Sequence, residues 1–249
     1  MLDWVGGLGA GGIGLVRYVG NLGSLAAAAG GSFALAPLRG SRVVYQVTLA
    51  QLYFTGVQAL PFIAIMGLAL GLSIAFLVPS ATLTGILIAA QVRELCPLFA
   101  AFIVLGRSGT AVAVELGGMV LRGEIDFLQA SGVDPLRFIV FPRLVGGVLA
   151  TLALTVHFNL FAALGVALGS QQSVLLTAQD LLSRLAVRDL GISLLKGALF
   201  GFIIALVSCH HGLSIQPYST EVPKGAIRSV MAGFLIFSVV NAALIPIYA

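Results

Sequence analysis

From Val57 to Val78, twenty-two consecutive residues carry no charge. A helix rises ~1.5 Å per residue, so such a run covers the ~30 Å hydrocarbon core of a bilayer. A soluble domain carries roughly 25% charged residues, and this chain carries 9%. With a mean hydropathy of +1.09, too little polar surface exists to cover a water-exposed globule of 249 residues. The chain is therefore read as an all-α integral membrane protein. Its net charge of +4 comes from dispersed residues without a basic run, which excludes a nucleic-acid footprint.

The same criterion gives five spans in one domain over 1–249, at about 57–78, 83–105, 144–168, 192–209 and 229–248. Residues 1–42 precede them. This segment has an apolar face but six glycines before Leu15, and it reads as an interfacial segment lying on the membrane. Residues 169–190 read as a surface-lying amphipathic helix or helical hairpin. Nine basic residues, Arg107 among them, fall on one side of the spans and only Arg184 and Arg188 on the other. The positive-inside rule then places the N-terminus in the cytoplasm and the C-terminus outside.

Charge collects between Arg93 and Arg143. That window holds five of the nine acidic and five of the thirteen basic residues. Arg93 and Glu94 interrupt the second expected span, where a charge costs ~2.5–3.5 kcal/mol on insertion scales. Adjacent helical residues point about 100° apart, so each needs another helix, a hydrated cavity or a charged ligand. Lys196 in the fourth span is a possible partner for Glu94. An interhelical salt bridge and a cavity for a polar head group are both compatible with the pair. Pro97 follows one turn later and bends the helix there.

Residues 119–134 form a short cytoplasmic helix between spans two and three. Arg122, Glu124, Asp126 and Leu128 lie on it, Gly132 ends it, and Asp134-Pro135 caps the next helix. Such a helix either docks a soluble partner or covers the end of the bundle. Gly67/Gly71 and Gly197/Gly201 form two GxxxG pairs, which serve helix packing or a dimer contact.

Several chemistries are missing from the pattern. No GxxxxGK[ST] is present, so the chain has no P-loop and cannot couple ATP itself. Gly9–Gly14 matches GxGxxG without a preceding strand, and Ser193–Lys196 matches SxxK inside a span without companion motifs. His210-His211 lacks metal-ligand spacing. No cofactor or metal site is expected.

The stretch Arg93-Glu94-Leu95-Cys96-Pro97, the run Gly106-Arg107-Ser108-Gly109 with Glu115-Leu116-Gly117, the Glu124-Ile125-Asp126-Phe127-Leu128 segment and Gly132-Val133-Asp134-Pro135 with Pro142-Arg143 resemble the MlaE/YrbE permease family. Asn241 stands where that family often carries Asp. The resemblance implies a homodimer with an N-terminal elbow helix, five spans and a cytoplasmic coupling helix per chain. It implies a cytoplasmic ABC ATPase, a STAS-domain protein and a periplasmic ring of MCE-domain subunits as partners. It implies residence in a bacterial inner membrane and phospholipid movement that maintains outer-membrane asymmetry. Residues 119–134 would then contact the ATPase, and Arg93, Glu94, Pro97 and Lys196 would lie on the lipid path. Uptake of another hydrophobic substrate, sterol-like or solvent-related, and a non-transporting scaffold for an MCE assembly remain open beside it.

Overall fold

The computed structural model describes residues 18, 20–28, 31, 41–77, 90–170, 187–216 and 218–248. Among these no strand occurs, and five helical stretches are long and apolar enough to cross a membrane. In chain order the elements are α1 (20–28), α2 (Ser41–Thr55), α3 (Leu60–Leu77), α4 (Gln91–Leu121), α5 (Glu124–Ala130), α6 (Leu136–Gly169), α7 (Val187–Leu213) and α8 (Glu221–Tyr248). The all-α membrane reading holds. Residues 1–17 of the interfacial segment, 83–89 of the second span and most of the amphipathic stretch 169–190 lie outside the described residues.

The helices run further than the apolar runs that announced them. The first span continues backward from α3 through a single 3-10 turn, Val57–Ala59, into α2. Pro61 causes no break, because it sits in the first turn of α3, where its missing N–H has no partner to lose. α4 extends to Leu121 rather than leaving the membrane near Leu105. One correction follows. Arg107, expected in the cytoplasmic exit, lies midway along the same helix. There its guanidinium donates to the Phe54 carbonyl at 2.8 Å and to Gln58 Oε1 at 2.7 Å, and it stacks 5.0 Å from the Phe54 ring centroid. Those acceptors replace the water an arginine at this depth would otherwise require.

Three π-helical turns interrupt the spans: Gln91–Leu95, Leu105–Gly109 and Leu136–Val140. Each contains an arginine. Two stand just before a proline, Pro97 and Pro142. Proline cannot donate to the carbonyl four residues back. The wider turn ahead of each is closed by the last donor before the proline, Cys96 N–H to Gln91 O and Phe141 N–H to Leu136 O. The third turn has no proline but carries Gly106 and Gly109. The expected bend at Pro97 is thus accommodated by an inserted residue in the helical ladder.

α6 is the axis of the bundle, and small residues let its neighbours close on it. A Cβ at Gly71 would collide with the Ala162 carbonyl, and one at Gly67 would lie 3.1 Å from the Phe158 carbonyl. On another face, Gly197 meets Thr155 and Gly201 meets Thr151 and the Gly147 carbonyl. Both GxxxG pairs are consumed by packing within the chain, so they are not available as a dimer contact. Around this axis the core gathers Phe158, Phe200, Phe237, Leu116 and Leu154, all buried. Large apolar side chains on α3 and α8 remain exposed, including Phe62, Phe76, Met231 and Leu235, as lipid-facing helices require.

The expected cytoplasmic helix over 119–134 is shorter. Met119 belongs to α4, and Gly123, at φ +71°, ends the long helix before α5 starts. α5 closes with Gly132 at φ +73° and paired bonds, Val133 N–H to Leu128 O and Gly132 N–H to Gln129 O. This is the Schellman arrangement. Asp134 then caps α6 by accepting from Leu136 N–H at 2.9 Å.

Candidate functional site

Charged residues of α4 and α7 and one amide of α8 converge around Arg93 and Glu94. Lys196 is 1% exposed, yet its ammonium donates to Glu94 Oε2 at 2.6 Å and to Asn241 Oδ1 at 2.9 Å. Three helices meet at one cation. Arg93 turns to a different partner, with Nε and Nη2 both 2.6 Å from Asp189 Oδ1. Asp189 is 2% exposed. The adjacent Arg93 and Glu94 therefore bind α7 at two points seven residues apart, about 10 Å along its axis. The π-turn that carries both residues is what aims them at one neighbouring helix.

A neutral layer continues this surface. Ser193 lies between Asp189 and Lys196, and Asn159 of α6 donates to its hydroxyl at 3.0 Å and to the Thr155 carbonyl at 2.9 Å. Asn159 Oδ1 and Gln91 Oε1 are buried without a hydrogen-bond partner among the described residues. Buried polar atoms in that state are costly, and they leave acceptors beside the charged pairs. Pro97 is buried one turn below. The arrangement can hold a polar group inside an apolar bundle, or it can fasten three helices; the geometry alone serves both.

The sequence-level partner of Lys196 is the one the structure shows. Asp189 was missed. Its signal was present: Asp189, Ser193 and Lys196 recur at i, i+4 and i+7, one stripe of α7. The nearby Arg184 and Arg188 made that stretch read as a surface helix.

A second group of charges lies at the other end. Arg122 Nε donates to Glu124 Oε1 at 2.5 Å, and this carboxylate pushes the exposed guanidinium above its ordinary value. Asp126 is exposed, and Phe127 is 71% exposed. Leu128 instead packs inward on the core, and Asp134 is engaged as the α6 cap. Of the residues expected to face a cytoplasmic partner, Arg122, Glu124 and Asp126 stand on the surface, and Phe127 joins them. Leu128 and Asp134 have structural contacts.

Residues 48–247 match the family described as Permease MlaE. A probable ABC transporter permease protein of Rickettsia conorii is 30% identical over 209 residues, 79% of this chain and 77% of the relative. The intermembrane phospholipid transport system permease protein MlaE of Haemophilus influenzae is 27% identical over 208 residues, covering 77% and 78%. The chloroplastic protein TRIGALACTOSYLDIACYLGLYCEROL 1 of Arabidopsis thaliana is 29% identical over 151 residues, covering 59% and 43%. With five spans around a glycine-lined axis and a match running over 48–247, the chain belongs to the MlaE permease family.

Proposed function

We propose that this permease is the membrane subunit of an ABC transporter that moves phospholipids between a bacterial inner membrane and the outer envelope, supporting outer-membrane lipid asymmetry. The observation that carries the reading is the row Arg93–Asp189 and Glu94–Lys196–Asn241, anchored on the buried Asp189 and Lys196 inside an otherwise apolar bundle. Ionisable groups at that depth are expensive and mark substrate paths by default. Phospholipid as cargo follows the name of the Haemophilus relative.

In this reading the chain has no ATP site and no cofactor. A cytoplasmic ATPase docks on the exposed side of α5, a STAS-domain protein accompanies it, and MCE-domain subunits form the periplasmic ring. The permease works as a homodimer. Arg42, Arg122, Arg137, Lys224 and Arg228 set the cytoplasmic end, which places the row of buried charges toward the periplasm.

The test is ATP-driven lipid transfer between vesicles by the reconstituted complex. Arg93→Ala and Asn241→Leu variants that insert and assemble normally should lose transfer. Undiminished transfer by both sinks the path assignment. A second reading, a non-transporting scaffold for a periplasmic assembly, has an observation of its own. Both basic groups of the row, Arg93 and Lys196, have an acidic partner within the chain. A scaffold predicts intact assembly and no lipid transfer even by the unaltered protein.

A further inference from the structure

The two halves of the first span are held to the bundle in different ways. α3 closes on α6 along most of its length. Gly67 and Gly71 meet α6, a Cβ at Gly165 would meet the Leu68 carbonyl, and one at Gly169 would meet Ala75. α2 makes its glycine contact with α6 at one level, Gly146, where a Cβ would lie 2.9 Å from Gln51 Cβ and 3.2 Å from the Thr48 carbonyl. Among the described side chains of α2 only Val44 and Thr55 are buried. A cavity of about 350 Å³ separates α2 from α4, between Val47, Ala50 and Phe54 on one side and Ala111 and Val112 on the other. Packed interiors leave few voids larger than a water molecule, so α2 and α4 do not interdigitate there. A segment with few buried contacts belongs to the low-stability end of a structure.

The joint between the halves is irregular. α2 ends at Thr55, Gly56 turns the chain, and the 3-10 turn Val57–Ala59 leads into α3. Glycine suits that position, because a Cβ at Gly56 would lie 2.7 Å from the Leu52 carbonyl. Hinges are built from such element-terminal residues, which absorb a change in backbone angle. Across the joint stands the π-turn Leu105–Gly109 of α4, and its Arg107 holds both sides. One bond goes to the Phe54 carbonyl of α2 and another to Gln58 in the 3-10 turn. Ala111 lies one helical turn beyond Arg107, so the cavity begins where this clasp ends.

We propose that α2 is a hinged arm. It turns about Gly56–Ala59 and closes the space against α4, and Arg107 is the latch that sets its resting position. Tyr45 lies 11 residues before Gly56, about 16 Å along the helix, so a rotation of ~10° at the joint carries it by ~3 Å. That the ATPase drives the swing rests on the transport reading; the arm itself does not.

Distances between paired spin labels read the motion. Cys96 and Cys209 are buried, so Tyr45→Cys and Val114→Cys, both at exposed positions, take the label selectively. The labelled full chain is diluted with unlabelled chain, assembled with its ATPase and placed in vesicles. A non-hydrolysable ATP analogue should shorten the 45–114 distance by about 3 Å, the displacement expected of the helix rise and that rotation. The reference pair Ile65→Cys and Val156→Cys, on the exposed faces of α3 and α6, should not move. Without nucleotide, Arg107→Met should broaden the 45–114 distribution, and Gln58→Leu, which leaves the Phe54 bond, should broaden it less. Ala50→Trp and, independently, Ala111→Trp fill the space and should abolish the shortening. A 45–114 distribution that both latch variants leave unchanged, a reference pair that moves as far, or shortening that persists in both tryptophan variants overturns the arm. A distance indifferent to nucleotide overturns its drive by the ATPase. Lipid transfer measured on the same vesicles separates the two claims. Transfer retained with no shift removes the arm and keeps the permease. A shift with no transfer removes the transport reading and keeps the arm.

Discussion

The two ends of the bundle use the same residue types to different physical effect. At the start of α4, Lys196 is 1% exposed and tied to two other helices. At its far end, the side chains of Arg122 and Glu124 are 60% and 43% exposed and two residues apart. The first ion pair joins distant parts of the sequence in a low-dielectric interior. The second joins near neighbours in a screened setting. A buried pair is not a large net stabiliser, because desolvation offsets most of its attraction. It is, however, severe to half-remove. An exposed pair is neither.

The largest expected effect comes from splitting the buried pair. Glu94→Ala takes the carboxylate away from the buried Lys196 ammonium and should destabilise the protein by about 3–5 kcal/mol. Thermal unfolding in detergent measures this. The double variant Glu94→Leu, Lys196→Met should recover most of the loss, because no charge is then stranded. Equal damage from the single and double variants would dissolve the contrast between the two ends.

Next comes the axis itself. Gly201→Val places a side chain 2.8 Å from the Thr151 Cβ and 2.9 Å from the Gly147 carbonyl. Backbone cannot yield as a flexible side chain would, so overpacking of about 1–3 kcal/mol is expected. Gly106→Ala is the control, since a Cβ there meets nothing within 4 Å. It should change stability by less than about 1 kcal/mol. A similar loss from both would mean that α7 does not close on α6 as described.

The contrast also explains what could be read in advance. Long apolar runs announce spans, so five could be counted from composition alone. Gly132 and Asp134-Pro135 mark the end of α5 and the start of α6 because caps are local chemistry. The Glu94–Lys196 pair was accessible because two lone charges in hydrocarbon have few alternatives. Helix ends were not accessible, since a helix that projects past the hydrocarbon takes polar residues without losing its hydrogen bonds. That is why α4 runs through Arg107 to Leu121, and why Arg107 seemed to lie outside. Asp189 was hidden for a related reason: its exposed neighbour Arg188 shares its sequence but not its helix face. The π-turns shift facing by one residue, which no periodicity count anticipates, although the prolines at 97 and 142 hint at two of the three.

Arg107→Met should fall between these effects. It removes two hydrogen bonds, one to the Phe54 carbonyl and one to Gln58. A backbone acceptor stranded near mid-membrane costs about 1–3 kcal/mol. Hydrogen exchange should then rise around residues 52–58, where the first span passes from α2 to α3 through its 3-10 turn. Protection unchanged there would show that the turn satisfies its own carbonyls.

The smallest structural effect is expected at α5, and it separates stability from function most cleanly. Removing the Arg122–Glu124 pair should shift stability by less than about 1 kcal/mol and become undetectable in high salt. Phe127, at 71% exposure, contributes little to the fold, so Phe127→Ala should leave unfolding unchanged. Leu128 is the internal reference on the same helix: it packs on the core, and Leu128→Ala should destabilise by about 2 kcal/mol or more. If α5 carries the ATPase, Phe127→Ala lowers ATP hydrolysis by the assembled complex while the permease remains folded. Hydrolysis at the unaltered rate would make α5 a cover for the bundle end, with its ion pair a solvated decoration.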